Sequence, residues 1–168
     1  MKLSEFMTTL TAWRYATDSA LTTVSMVKTE FILNSAAQKL AYVFEPGQGP
    51  CIVFLSGYRS DMFGTKAQYL ADFCRAQGQA MLRFDYSGHG ASEGQFENGS
   101  ISAWTQDALA VIKATVDGPV ILIGSSMGGW IMLHVALELG SQVRGMIGVA
   151  AAPDFTRDLI SRDLTTEQ

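Results

Sequence analysis

The chain has 168 residues, 48% of them hydrophobic, 17% charged and 10% aromatic, which suits one domain with a real core and argues against disorder. A formal net charge of −4 offers no basic surface for nucleic acid or anionic lipid. No apolar stretch is long enough to span a bilayer.

Residues 1–28 read as an N-terminal extension rich in Ser and Thr, without the continuous apolar run of a secretory signal. Lys2, Arg14 and Lys28 set against Glu5 and Asp18 make it less basic and more acidic than a mitochondrial transit peptide. A short helix, or a stretch upstream of a true start at Met26, accounts for it. Residues 29–168 then read as a partial α/β domain. Glu30–Leu33 and Leu40–Phe44 are β-prone runs joined by a polar turn at Asn34–Gln38, an opening hairpin. After the turn at Glu45–Pro50, Cys51–Leu55 is an apolar run of the kind found in a strand buried on both faces. Thr65–Gln77 has apolar residues at helical spacing and stops at Gly78.

The unit then repeats. Ala80–Tyr86 is a strand, followed by a glycine-rich turn, and Ile101–Val116 is a helix closed by Asp117-Gly118-Pro119. Val120–Ile123 is a further strand. Met127–Leu139 is a helix apolar almost all round and therefore expected to be buried. Val143–Ala151 is the last strand, and Pro153 opens a helical or loop segment. Alternation of this kind predicts a mostly parallel sheet with helices on both faces and right-handed crossovers. Cys51 and Cys74 fall in an apolar run and a helical pattern, which suits buried thiols rather than a metal site or a disulfide.

The chemistry-bearing motif is Gly124-Ser125-Ser126-Met127-Gly128-Gly129, which joins a strand directly to a helix. This is G-x-S-x-G in its strand–turn–helix context. Ser126 is the candidate nucleophile: the turn strains its backbone, and glycines two before and two after keep Cβ atoms out of the neighbouring strand and helix. The Met127 amide points at the same spot, at the positive end of the new helix. Ser125 lacks the glycine pair at the required offsets. A glycine-rich turn that merely contains serines is the bland alternative. After Cys51–Leu55, the loop Ser56-Gly57-Tyr58-Arg59-Ser60-Asp61 is placed to supply a second oxyanion donor, with the Tyr58 amide the candidate. The plainer role for this loop is to cap the next helix through Asp61 or Thr65. The Gly88–Gly94 turn fails as a dinucleotide fingerprint, because Glu93 occupies the last glycine position and the turn comes late.

Phe54–Met62, Arg83–Gly90 and Gly124–Gly129, in that order, resemble an α/β-hydrolase. They are most similar to the abhydrolase subfamily of mitochondrial acyl-protein thioesterase and acyl-glucuronide esterase type, with its bacterial relatives. The resemblance spans about Thr29 to Leu159. It implies a Ser-Asp-His triad, no metal or other cofactor, and a small acyl ester or thioester as substrate. It also implies that the acid and the histidine follow the nucleophile on later strands, so that this is an incomplete α/β-hydrolase fold lacking its last strands.

Only two histidines are present. His134 lies eight residues beyond Ser126 on one helix, roughly 12 Å along the axis, whereas a base must approach within about 3.2 Å. His89 stands at the correct edge, but the strand order that the resemblance implies sets it two strands away, roughly 10 Å; a turn or pocket wall is the simpler role. Asp154, an acid in some such enzymes, has no histidine to orient and is expected to cap the segment after Pro153. A serine hydrolase core impaired for want of its base is the expected function. A non-catalytic binding protein on the same fold is the alternative, and a swapped dimer supplying the histidine is a third. Val143–Ala150 is expected to form an exposed apolar edge strand that invites self-association. The cytoplasm is the expected compartment, with the mitochondrial matrix the alternative.

Overall fold

The computed structural model of the chain describes residues 27–154. The expectations for the N-terminal extension and for the segment after Pro153 lie almost wholly outside those residues. Strands β1 (Glu30–Leu33) and β2 (Lys39–Glu45) form the expected antiparallel hairpin. Asn34 builds its turn, because its Oδ1 accepts the amides of Ala36 and Gln38, both at 3.0 Å.

β3 (Gln48–Leu55), α1 (Thr65–Ala76), β4 (Gln79–Phe84), α2 (Ile101–Thr115), β5 (Val120–Ser125), α3 (Met127–Leu139) and β6 (Val143–Val149) follow. The six strands form one sheet in the order β1-β2-β4-β3-β5-β6. The β3/β4, β3/β5 and β5/β6 pairs are parallel, and β2 meets β4 antiparallel. This is the mixed, mostly parallel sheet that the alternation predicts.

The central strands are buried on both faces. Cys51, Val53 and Leu55 of β3, Leu82 and Phe84 of β4, and Val120 and Leu122 of β5 pack with α2 and α3. The intervening Phe54, Met81 and Ile123 pack with Ala67, Ala71 and Cys74 of α1 on the other face. Cys51 and Cys74 are buried free thiols, and burial pushes them up to about 12 and about 11. Among the described residues no helix is long and apolar enough to cross a membrane.

Three expectations need correction. β3 starts at Gln48 rather than Cys51: the Gln48 amide donates to Gly78 O at 2.8 Å, and a register shift before Ile52 absorbs Gly49 and Pro50. Neither Asp61 nor Thr65 caps α1, whose N-cap is Gly64 without a side-chain bond. Asp61 instead turns back on its own loop, with Oδ1 accepting the Phe63 amide at 2.8 Å. Finally, α3 is not buried all round. Met127, Ile131, Met132 and Val135 face the sheet, but Leu133 and Leu137 are exposed, Leu137 by 82%. No described element packs over that side. β6 is likewise an edge strand, with Met146 and Ile147 about half exposed at 49% and 52%.

Candidate active site

β5 runs through Gly124 and Ser125 into Ser126, and α3 starts at the next residue. Ser126 has φ 54° and ψ −120°, a backbone conformation that costs a non-glycine residue about 1–3 kcal/mol. Three backbone bonds hold it there. Its amide donates to Val149 O at 3.0 Å, and its carbonyl accepts from Gly129 at 2.9 Å and Ala152 at 3.1 Å. Ser125 is buried while Ser126 is exposed.

The glycines answer to contacts that the sequence spacing anticipates. A Cβ on Gly124 would stand 2.5 Å from Gly128 O and 2.7 Å from Gly129 Cα. On Gly128 it would overlap Leu55 O and Ser56 O at the end of β3. These are backbone atoms that cannot rotate aside, so the elbow closes only with glycine at both places. Met127, fully buried, contributes the first amide of α3, one of the N–H groups that a helix leaves without an internal acceptor.

The loop after β3 reaches the same place. A Cβ on Gly57 would lie 3.2 Å from Ser125 O and 3.3 Å from Ser126 Cβ, so Gly57 packs on the elbow and Tyr58 follows beside it. The Ser60 amide donates to Gly57 O at 3.1 Å and closes a turn that puts Arg59 at φ 51°. The Tyr58 ring meets Phe96 edge-on at 5.0 Å, and the Arg59 guanidinium lies 4.8 Å over the same Phe96 ring. Two cavities flank this loop. One, of about 240 Å³, includes Ser56, Gly57, Thr65, Lys66 and Ser125 in its wall; the other, of about 300 Å³, includes Arg59, Asp61, His89 and Glu97. Ser126 lines neither of them and is exposed.

His89 sits on the loop after β4, and the order β4-β3-β5 separates that strand by two steps from the strand that carries Ser126. It is 4% exposed, with the rings of Tyr86, Phe96 and Trp104 each 5.0–5.5 Å from its own. Its Nδ1 lies 3.2 Å from Ser87 O, and Nε2 is buried without a hydrogen-bond partner. Burial lowers its pKa, against the opposing pull of the Ser87 carbonyl and of Asp107. His89 is therefore an enclosed neutral wall residue. His134 lies on α3, two turns from Ser126, and is exposed. The expectation that Asp154 caps a following helix falls on residues outside those described.

Two buried carboxylates organise these loops: Asp85, which lies within the Arg83–Gly90 motif but is given no role by it, and Asp107, which lies outside the motifs. Asp107 on α2 accepts from Asn34 Nδ2 at 2.9 Å, the Ser87 amide at 2.9 Å and Ser87 Oγ at 2.6 Å. Asp85, 1% exposed at the end of β4, accepts the Met62 amide on Oδ1 at 2.6 Å and the Ala91 amide on Oδ2 at 2.9 Å. Burial raises its pKa, while those two amides, which favour the ionised form, oppose the rise. The available signal was an acid closing an apolar strand, since a carboxylate there must find donors. Among the described residues no group of three or more His, Cys, Asp or Glu side chains is arranged to hold a metal ion.

Residues 49–165 match the hydrolase family described as serine aminopeptidase, S33. The mitochondrial palmitoyl-protein thioesterase ABHD10 of Homo sapiens is 48% identical over 115 residues, 68% of this chain and 38% of that protein. Its Rattus norvegicus counterpart is 40% identical over 143 residues, 85% of this chain and 46% of that protein. The chain thus spans less than half the length of these curated relatives. A crystal structure of a putative hydrolase from Agrobacterium vitis superposes with a TM-score of 0.78 at 42% identity, covering 84% of this chain and 59% of that one. Mouse alpha/beta hydrolase domain-containing protein 10 does so with 0.74 at 40% identity, covering 77% and 52%.

Proposed function

The chain belongs to the S33-type serine hydrolase family, in the ABHD10-like branch of the α/β-hydrolases, and on that premise we propose that it carries the nucleophile and oxyanion hole of an enzyme that hydrolyses small acyl esters or thioesters. The observation that carries this reading is the backbone of Ser126, an exposed serine held at φ 54° between an uncapped helix start and Gly57. A turn that merely joined a strand to a helix would have no use for such strain, and the same point weighs against a pure binding protein.

In the proposed mechanism Ser126 Oγ attacks the acyl carbon. The carbonyl oxygen takes up the negative charge and is met by the amides of Met127 and Tyr58. The bond to the alcohol or thiol then breaks, the acyl group stays on Oγ, and the leaving group takes a proton. Water later cleaves the acyl-serine and restores the hydroxyl. Each proton transfer calls for a base within hydrogen-bond reach of Oγ. His89 is enclosed by aromatic rings and His134 is two helical turns away, so neither fills that role in this reading. The chain by itself is then a weak esterase, limited to what the elbow and the oxyanion donors provide. The names of the mammalian relatives place those proteins in mitochondria, which supports the matrix alternative over the cytoplasm.

Labelling with a fluorophosphonate probe tests the reading. The parent chain and His89→Ala are expected to label slowly and equally, and Ser126→Ala not at all. Equal labelling of the parent and Ser126→Ala would remove Ser126 as the nucleophile, and loss of labelling in His89→Ala would make His89 an improvised base.

A further inference from the structure

β3 and β4 are parallel neighbours, so the loops that follow them, Ser56–Gly64 and Asp85–Gln95, leave the same edge of the sheet side by side. Among the described residues, Asp85 joins them through its side chain. Its Oδ1 holds the Met62 amide of the first loop and its Oδ2 holds the Ala91 amide of the second, at 2.6 and 2.9 Å. The residue itself is fixed by its backbone, whose amide donates to Ala41 O of β2 at 2.9 Å and whose carbonyl accepts Ser92 Oγ at 2.7 Å. Met62 is completely buried and is held from its other side as well, its carbonyl accepting Arg83 Nη1 at 3.1 Å. Gly90 belongs to the same device: a Cβ there would overlap the Asp85 carboxylate. Only a glycine lets the carboxylate lie against the second loop.

Between Gly57, seated on the elbow, and Met62, held by Asp85, lie Tyr58 and Arg59, the latter at φ 51°. A short loop strained at its tip keeps its shape only if both ends are fixed. We infer that Asp85 is the positioning residue of the oxyanion loop, holding Met62 so that the Tyr58 amide stays aimed at the carbonyl oxygen of the acyl group on Ser126. This rests on the reading of Ser126 and Tyr58 given above. It adds to that reading a buried carboxylate that touches no substrate and acts through another residue's amide.

The test compares the parent chain with Asp85→Asn and Asn34→Ala. The first keeps shape but offers an N–H₂ group to one of two amides that need an acceptor. The second cuts the tie between the β1–β2 turn and Asp107 and leaves the Met62 and Ala91 bonds of Asp85 in place, so it serves as the stability control. Two quantities are read: the second-order rate of fluorophosphonate labelling, and the backbone amide resonances of Tyr58 and Met127 in the folded protein. Losing one oxyanion donor lowers turnover by about 10²–10³-fold, so a displaced donor is expected to slow labelling by at least about tenfold. Asp85→Asn should show that loss together with a shifted Tyr58 resonance and an unshifted Met127 resonance, while Asn34→Ala keeps the parent's rate and spectrum at both amides. Equal rates in the two variants would overturn the role of Asp85 while leaving Ser126 standing. If the parent does not label at all, the nucleophile reading falls by itself and the spectra decide: an unmoved Tyr58 amide in Asp85→Asn overturns the positioning role, and a moved one upholds it. Gly90→Ala, which crowds the carboxylate without removing it, should reproduce the Asp85→Asn result if that variant fails to fold.

Discussion

Gly128→Ala tests the packing of the elbow most directly. The added methyl would overlap Leu55 O and Ser56 O and stand 2.6 Å from Leu55 C, all backbone of the strand end and loop that face Ser126. A carbon–oxygen contact needs about 3.3 Å, so the first turn of α3 must retreat by roughly 1 Å, or β3 must give way by the same amount. Overpacking of a tight interior costs about 1–3 kcal/mol, and the absence of any rotamer that escapes puts this case near the top, about 3 kcal/mol. For a domain of this size that lowers Tm by roughly 10 °C. A 1 Å displacement of reacting groups costs about 10²-fold, so labelling at Ser126 should fall by that order. Thermal melts and probe labelling of Gly128→Ala read both quantities. Gly118→Ala is the control, because a Cβ there meets nothing within 4 Å and φ is not positive; it should melt within about 2 °C of the parent. A Gly128→Ala protein that melts with the parent and labels at the parent's rate would refute the claim that glycine is required for this approach of helix to strand.

Ser126→Gly should raise stability by about 1 kcal/mol in urea unfolding, because glycine adopts φ 54° without the penalty that serine pays, and should abolish labelling; a lower midpoint would mean that the elbow is not strained. His89 has its pKa lowered from 6.5, chiefly by burial, so the fold disfavours its charged form. The unfolded chain then binds the proton more readily, and the stability due to neutral His89 is complete above about pH 6.5 and is lost as pH falls from there through the folded value. The difference in unfolding free energy between the parent and His89→Gln should accordingly shrink between pH 7.5 and pH 5; a constant difference would contradict the enclosed neutral imidazole. Ile147 stands 52% exposed on the edge strand β6, and Ile147→Lys should suppress concentration-dependent association in sedimentation velocity. A parent chain that stays monomeric at high concentration would show that this edge is not adhesive.

What was legible in the sequence was what neighbouring residues decide. The elbow could be read because Gly124, Ser126 and Gly128 lie within five positions of one another, Gly124 against the helix that the turn opens and Gly128 against the end of the neighbouring β3. The central strands could be read because burial on both faces leaves continuous apolar runs such as Val120–Ile123. The ties between loops were not legible. Asp85 and Met62 are 23 positions apart, and Asn34 and Asp107 are 73 apart. An acid on an otherwise apolar helical stripe looks like a surface residue until its donors are in place. The expected burial of α3 failed for a related reason: composition sets how apolar a helix is, while the elements around it set which sides are covered. Leu137 is apolar and 82% exposed because nothing described packs above it.

The division of labour within the site follows from which groups make it. The proposed oxyanion hole is built from backbone: two amides, three glycines at close approach, and one strained serine. Backbone groups are aimed by the fold of their own segments, and the order β4-β3-β5 brings the three segments concerned to one edge of the sheet. A general base is different, because it must be a titratable side chain at one point in space with its other nitrogen oriented by a third group. His89 has the ring, but Nδ1 faces Ser87 O, the rings of Tyr86, Phe96 and Trp104 pack around it, and the cavity that it lines is one that Ser126 does not share. Burial depresses its pKa and favours the neutral form, two strands away from the one that carries Ser126. On the proposed reading the elbow is formed and still reacts slowly: the segments from Gly57 to Gly128 supply the backbone donors for the oxyanion, and neither histidine supplies the base.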